Sequence, residues 1–150
     1  MLEWTIKQTE GEPLSIRFRG AITEAACFDD LAVDGTHVVL VVDGIRYINS
    51  TGLQRLWAFL EPLAKRCSVV LERCSPAIVV QLNMMPALAD CVKVRSVIAP
   101  LECAECIAET DVLITIDGGG PPVFTARACE VCGGAMVLSE LEERYFAFLS

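Results

Sequence analysis

The chain has 150 residues, of which 53% are hydrophobic, and a formal net charge of −8. These values allow one domain of ordinary size, or a domain of about 100 residues with a small appendage. No apolar run reaches the roughly 18 residues that a transmembrane helix needs, which argues against membrane insertion. The first residues contain no basic segment followed by an apolar stretch, so we expect a cytoplasmic protein with reduced thiols.

The charge is unevenly distributed along the chain. Residues 1–100 contain ten Lys/Arg and eleven Asp/Glu, whereas residues 101–150 contain two Lys/Arg and nine Asp/Glu, a net charge of −7. We therefore predict two units, 1–100 and 101–150. An acidic second unit repels phosphate backbones, so we expect no nucleic-acid binding. In the first unit, a small basic patch could nevertheless form from Arg17, Arg19 and Arg46.

The first unit opens with two runs that alternate apolar and polar residues, at 4–8 and 14–20. A Gly and a Pro separate them, and the pattern predicts an antiparallel hairpin. A short helix is predicted over 24–32. The run 37–42 that follows is apolar and largely β-branched, which is typical of a strand covered on both faces.

A loop is predicted over 43–52, followed by a helix with an apolar stripe over 53–64. Ser50 or Thr51 is well placed to cap that helix at its N-terminus. Pro62 lacks an amide hydrogen, so we expect a kink or an early end there.

Two further strands and a helix complete the first unit. The run 67–72 predicts a strand, Ser75 and Pro76 cap and open the next helix, and 92–98 predicts a last strand. Strands that come first and then alternate with helices predict an α/β fold with a mixed sheet.

The segment 38–76 resembles the STAS domain of anti-sigma-factor antagonists, and the similarity extends more loosely over 14–97. The features that carry the resemblance are the apolar strand, a loop ending Asn49-Ser50-Thr51-Gly52-Leu53, the helix, the next strand, and Ser75-Pro76-Ala77. The family's loop usually reads Asp-Ser-Ser/Thr-Gly-Leu, so Asn49 replaces the usual acidic residue. The resemblance implies a STAS-like sheet with helices packed on it.

The same resemblance implies a non-enzymatic protein-interaction module of bacterial signalling, whose partner is an anti-sigma-type serine/threonine kinase or a larger signalling assembly. The family's second hydroxyl residue accepts a phosphate, which makes Thr51 the expected acceptor and Ser50 the neighbouring one. The docking face would comprise residues 49–53 and the helix after them. Some family members are instead fixed docking subunits, including one bound to a lipid-transporter ATPase. A plain capping role for both hydroxyl residues is the alternative.

The second unit contains two Cys-x-x-Cys pairs, Cys103 with Cys106 and Cys129 with Cys132. Paired knuckles at this separation are typical of a structural zinc ribbon, in which four thiolates enclose one ion. Metal binding would supply folding free energy that so short a segment lacks. Iron is an alternative for the same thiolates, and a redox dithiol or a ribbon without metal are others.

The residues between and after the knuckles predict a β-hairpin and a helix. Strands are expected over 111–117 and 123–128, joined by a loop over 118–122. Gly133 and Gly134 suit the tight turn of a knuckle. A capping box over 139–142 predicts a helix that ends at Leu149 and packs on the ribbon or the main unit, or docks a partner.

The remaining residues support no catalytic site. Four more cysteines, Cys27, Cys67, Cys74 and Cys91, lack ligand spacing and are expected to be buried reduced thiols. The single histidine has no catalytic partner in the sequence. A closed four-thiolate site leaves no coordination position for a substrate, so we expect no enzyme activity. A zinc-ribbon protein of transcription or nucleic acid is the alternative function, and the sequence sets no oligomeric state.

Overall fold

A computed structural model describes residues 1–116, 120–122 and 127–149 and shows two β-sheets with helices packed against them. The α/β class predicted from the sequence is confirmed. None of the helices in these ranges is long and apolar enough to cross a bilayer. In chain order the elements are β1 (Glu3–Lys7), β2 (Leu14–Ile22), β3 (His37–Ile48), α1 (Ser50–Arg66), β4 (Ser68–Glu72), α2 (Pro76–Met84), α3 (Pro86–Cys91), β5 (Lys93–Val94), β6 (Ser96–Cys103), β7 (Glu109–Thr115), β8 (Arg127–Ala128), β9 (Ala135–Leu138), α4 (Glu142–Tyr145) and a 3₁₀ turn (Ala147–Leu149).

The first sheet has the strand order β1-β2-β3-β4-β5. β1 and β2 form the predicted antiparallel hairpin, in which Trp4 lies opposite Phe18, and β2 to β5 are parallel neighbours. The apolar stripe of α1 and the buried face of α2 pack on one face of this sheet, where Leu60 and Val79 are almost fully buried. Burial of these side chains is the main source of stability.

The second sheet has the strand order β7-β6-β9-β8, and all its pairs are antiparallel. The two sheets meet where Cys74 forms a bridge with Val97, and the core continues from one sheet into the other through the buried Leu101. β6 runs through Pro100, so the predicted boundary between the two units falls inside a strand. The division into two units stays a prediction.

Two predictions about the chain before α1 are wrong. Residues 24–32 form turns instead of a helix. The buried side chains of 26–33 are Ala26, Phe28, Leu31 and Val33, and their intervals of two, three and two residues do not place all four on one face of a helix. β3 continues to Ile48 through most of the predicted loop, because β2 extends beside it to Ile22 with two bulges.

Three predictions about the following elements need correction. Asn49 caps α1, in place of Ser50 or Thr51. Pro62 does not end α1, which continues to Arg66. The strand predicted over 92–98 is two strands in different sheets, because Arg95 separates β5 from β6. The predicted cap of α2 is confirmed, since the Ser75 hydroxyl accepts a hydrogen bond from the amide of Ile78.

The C-terminal predictions are only partly correct. β7 pairs with β6 and β8 with β9, so the described residues do not form the predicted hairpin. Residues 117–119 and 123–126 of that prediction lie outside the described part. The capping box is wrong, because Leu141 is the N-cap of α4 and makes no side-chain cap bond. In this segment Tyr145 is buried, whereas Leu141 is exposed.

The C-terminal segment packs on α2 and β6. Asn83 of α2 donates its side-chain amide to the carbonyl of Tyr145 and accepts a hydrogen bond from the amide of Phe148. The Tyr145 hydroxyl donates to the carbonyl of Ile98 in β6. This arrangement agrees with the prediction that the segment packs on the main unit.

Candidate functional site

The four cysteines of the two knuckles converge in space. Cys103 ends β6, Cys129 follows β8, and the other two lie in the turns after them. The sulfur atoms of the four cysteines all lie within 4.8 Å of one another. The sulfur–sulfur distance is 3.4 Å between Cys103 and Cys132 and 3.7 Å between Cys106 and Cys129. A tetrahedral ion with bonds of about 2.3 Å to sulfur requires separations of about 3.8 Å, so these four residues can hold a metal ion.

Backbone amides point at the sulfurs of both knuckles. The first cysteine of each pair accepts from the amide two residues on: Glu105 donates to Cys103 and Val131 to Cys129, both at 3.4 Å. Such hydrogen bonds orient a thiolate and offset its charge. In the second knuckle Gly134 also donates to Cys132, at 3.4 Å.

The two knuckles also share a backbone conformation. In each, the amide of the first cysteine donates to the carbonyl five residues on, Ala108 at 2.8 Å and Gly134 at 2.7 Å. The residue after the second cysteine has a positive φ in each, 61° at Ile107 and 75° at Gly133. Glycine adopts this conformation without strain, whereas isoleucine does not. The left-handed position at Ile107 was not predicted, and its only signal in the sequence is its place after a Cys-x-x-Cys pair.

The surroundings of the cluster shift the pKa values of two of its thiols in opposite directions. The amides of Cys106 and Glu105 lower the pKa of the Cys103 thiol to about 7. The Ala108 amide favours ionisation of Cys106, but the neighbouring sulfurs, that of Cys132 first, raise its pKa to about 12. One thiol therefore ionises near neutral pH, and an incoming cation would displace the remaining protons.

The cluster is partly shielded from solvent. Cys103 and Cys129 are buried, Cys106 is half-buried and Cys132 is exposed. Four thiolates complete a tetrahedron, so a metal bound here has a structural role and no position for a substrate.

The loop predicted to dock partners lies where β3 ends and α1 begins. The Asn49 side chain accepts a hydrogen bond from the amide of Gly52 at 2.7 Å and thereby caps α1. Ser50 and Thr51 are exposed and Leu53 is half-buried. Gly52 is buried, and a Cβ atom there would lie 1.8 Å from the carbonyl oxygen of Ile22. Only glycine lets α1 start so close to β2.

Glu24 is a residue of this loop region that sequence reasoning missed. Its carboxylate accepts a hydrogen bond of 2.7 Å from the side-chain amide of Asn49. That bond, more than the nearby Arg55, lowers the pKa of Glu24. The two residues are 25 positions apart, and no local pattern in the sequence could have paired them.

The remaining cysteines only partly match the expectation of buried thiols. Cys67 and Cys74 are buried and Cys91 is half-buried, but Cys27 is exposed. Burial raises the pKa of Cys74 far above its ordinary value, so this thiol stays protonated and belongs to the core.

Comparison with known proteins adds no family to these observations: no family model matches the chain, and no curated protein matches it significantly.

Proposed function

We propose that this protein is a non-enzymatic interaction module of the STAS type, related in function to anti-sigma-factor antagonists. Residues 49–53 form its docking face, and Thr51 is the residue that a partner serine/threonine kinase phosphorylates. Cys103, Cys106, Cys129 and Cys132 hold a structural zinc ion. The protein acts in the cytoplasm by exchanging protein partners.

The observation that carries the proposal is the position of Thr51. It lies in the first turn of α1, directly after a largely buried parallel strand, and its side chain is exposed. Within the described ranges, the hydrogen bonds of this loop come from Asn49, and neither Thr51 nor Ser50 forms a side-chain hydrogen bond that a phosphate would have to break. An active kinase could therefore reach the hydroxyl without unfolding the loop.

A phosphate at this position would change the surface and spare the fold. The first amides of a helix have no partner within the helix and carry partial positive charge, so they tolerate an added anion. Phosphorylation replaces a small hydroxyl with a group of about −1.5 to −2 charge. A partner packed on residues 49–53 would then face repulsion and desolvation, and would be released.

The zinc ion has a supporting role in the proposal. The two knuckles lie in turns of the second sheet, and the apolar residues Ile107 and Val131 in these turns are exposed. Tetrahedral thiolate coordination would join the two turns and contribute folding free energy that their packing does not supply.

Quantitative pull-downs with the wild-type protein, Thr51→Asp and Thr51→Ala test the switch. We expect Thr51→Asp to lose or exchange partners that Thr51→Ala keeps. Thr110→Asp is the matched control, because Thr110 is exposed on β7, far along the chain from the loop. Intact-mass spectrometry of the native and denatured protein reports bound zinc and any adduct of roughly 80 Da, one phosphoryl group.

A fixed docking subunit, for example of a transporter ATPase, is the second candidate. The presence of Asn49 in place of the family's acidic residue favours it, because Asn49 is committed to Glu24. If all three proteins recover the same partners, Thr51 is not a switch and the fixed role is the better description.

A further inference from the structure

Among the described residues, helices cover only one face of the first sheet. Its inner face packs on α1 and α2, whereas the opposite face, here called the outer face, carries no helix from the described residues. Register places Thr5, Arg17 and Val41 side by side on the outer face, and Val41 lies beside Glu72. As expected for the 37–42 strand, Val39 and Val41 are buried on this side too, although no helix of the described residues lies over them.

Basic residues are concentrated on the outer face. Its first two strands contribute Lys7, Arg17 and Arg19, and Arg46 lines a hollow together with Arg19. Three more cations lie toward β5: Arg73 ion-pairs with Asp43, Arg95 ion-pairs with Glu72, and Lys93 is in register with Val70. The face thus holds seven of the ten Lys/Arg of residues 1–100.

Three carboxylates, those of Glu3, Asp43 and Glu72, balance part of this charge, which leaves the outer face at about +4 in a chain of net charge −8. Asp43 bridges two arginines, with 3.1 Å to Arg17 and 2.8 Å to Arg73. Lys7, Arg46 and Lys93 are exposed and have no ion-pair partner among the described residues.

The centre of the outer face is apolar. Val39, Val41 and Val70 form a cluster of their own and are only 8%, 6% and 8% exposed, although no helix of the described ranges covers them. Long basic side chains shield apolar surface with their aliphatic stems while their charged ends stay in water. A partner could pack its own apolar side chains against the valines in place of these stems.

We propose that the outer face docks an acidic segment of a partner protein, in which carboxylates alternate with apolar residues. The carboxylates would pair with Lys7, Arg46 and Lys93, and the apolar residues would cover the valine cluster. Charge complementarity identifies the partner as acidic, and it speeds association and sets register. A nucleic acid fits less well, because valine side chains offer a base neither a hydrogen bond nor an aromatic surface for stacking. This site is independent of Thr51.

The probe is a fluorescein-labelled peptide of alternating Glu and Leu, and its binding to the 150-residue protein is measured by fluorescence anisotropy. A peptide with Gln in place of Glu is its matched control. A single-stranded RNA oligonucleotide, measured at the same salt, tests whether the face prefers a nucleic acid. We expect the acidic peptide alone to bind, and its Kd to rise severalfold between about 50 and about 200 mM salt, since exposed charges are screened.

Charge reversals locate the site. Lys7→Glu/Lys93→Glu should weaken peptide binding at least about tenfold, which corresponds to 1.4 kcal/mol. Lys65→Glu/Arg144→Glu makes the same change in net charge at exposed positions of α1 and α4. This control variant should weaken peptide binding less than about twofold. Circular dichroism checks that both variants fold, and none of the four residues forms an ion pair within the described ranges.

Three results would overturn the proposal: equal loss in both double variants, RNA binding tighter than peptide binding at the same salt, or no peptide binding at low salt. Sedimentation velocity tests whether a second copy of this chain binds the outer face. If the protein self-associates and Lys7→Glu/Lys93→Glu abolishes the association, the outer face binds a second copy of this chain and the acidic-segment proposal is wrong.

Discussion

The side chain of Asn49 connects two parts of the chain at the start of α1. Its nitrogen donates to the Glu24 carboxylate at 2.7 Å, and its oxygen accepts from the amide of Gly52 at 2.7 Å. An aspartate in this position could keep the second bond but not the first. The Asn49–Glu24 pair therefore gives a structural reason for the departure from the acidic residue that the resemblance leads one to expect.

Substitutions of Asn49 separate its hydrogen bond to Glu24 from its capping of α1. Asn49→Ala removes the cap and should lower the free energy of unfolding by about 0.5–2 kcal/mol. Asn49→Asp should keep the cap but place a carboxylate against Glu24, so this variant should be less stable than wild type at pH 7 and regain stability on adding Glu24→Gln. Chemical denaturation of the wild type, Asn49→Asp, Glu24→Gln and the double variant measures this cycle. Additive effects of the two substitutions would contradict the pairing.

The Asn49–Glu24 bond also predicts a pH dependence. Because the pKa of Glu24 is lowered in the folded state, the ionised carboxylate stabilises the fold above the ordinary glutamate pKa, and this contribution disappears as the pH falls through the folded-state pKa. Asn49→Ala should raise the pKa of Glu24 toward its ordinary value. NMR titration of the Glu24 side chain measures the shift, and an unchanged pKa would mean that the bond does not form in solution.

Gly52→Ala should destabilise the protein although the position is helical. In an unhindered helix this change stabilises by about 1 kcal/mol. Here the added Cβ would lie 1.8 Å from the Ile22 carbonyl oxygen, and the overlap should cost about 1–3 kcal/mol. Ser50→Ala, at an exposed position of the same turn, is the control and should change the unfolding free energy little. A stable Gly52→Ala protein would show that α1 does not pack against β2 this closely.

The two knuckles predict substitutions of opposite effect. Ile107 has a φ of 61° and is 88% exposed. Ile107→Gly therefore relieves strain without losing burial, and should stabilise the metal-bound protein by about 1 kcal/mol. Gly133→Ala places a side chain at a φ of 75°, and should destabilise it by about 1–2 kcal/mol. Thermal unfolding of the metal-bound protein measures the stability of both variants. If both were more stable, or both less stable, than the wild type, the shared knuckle geometry would be contradicted.

Metal removal should act locally. After chelation we expect the amides of 103–108 and 129–134 to exchange faster with solvent by orders of magnitude, because the turns lose their cross-link. Amides of β3 should keep their protection, since β3 is paired on both sides, with β2 and β4. Hydrogen-exchange mass spectrometry with and without zinc measures both regions. Loss of protection throughout β3 would show that the metal stabilises the whole chain.

Local features were predictable because they depend on neighbours in the sequence. Alternation of apolar residues predicted the β1–β2 hairpin, and the Ser75-Pro76 pair predicted the start of α2. Ligand spacing selected the same four cysteines that the structure brings within 4.8 Å of one another. Each of these signals lies within a few residues, where backbone geometry and side-chain period restrict the outcome.

The tertiary structure alone decided which distant residues pair. The extension of β3, the separation of β5 from β6, and the order β7-β6-β9-β8 depend on strands that meet from far along the chain. The pairing of Asn49 with Glu24 also joins residues far apart in the chain. So does the packing of α1 and α2 on one face of the first sheet, which leaves basic residues on the outer face. Long-range pairing is a choice among many competing contacts with similar local preferences, and the free energy of packing the whole core selects one of them.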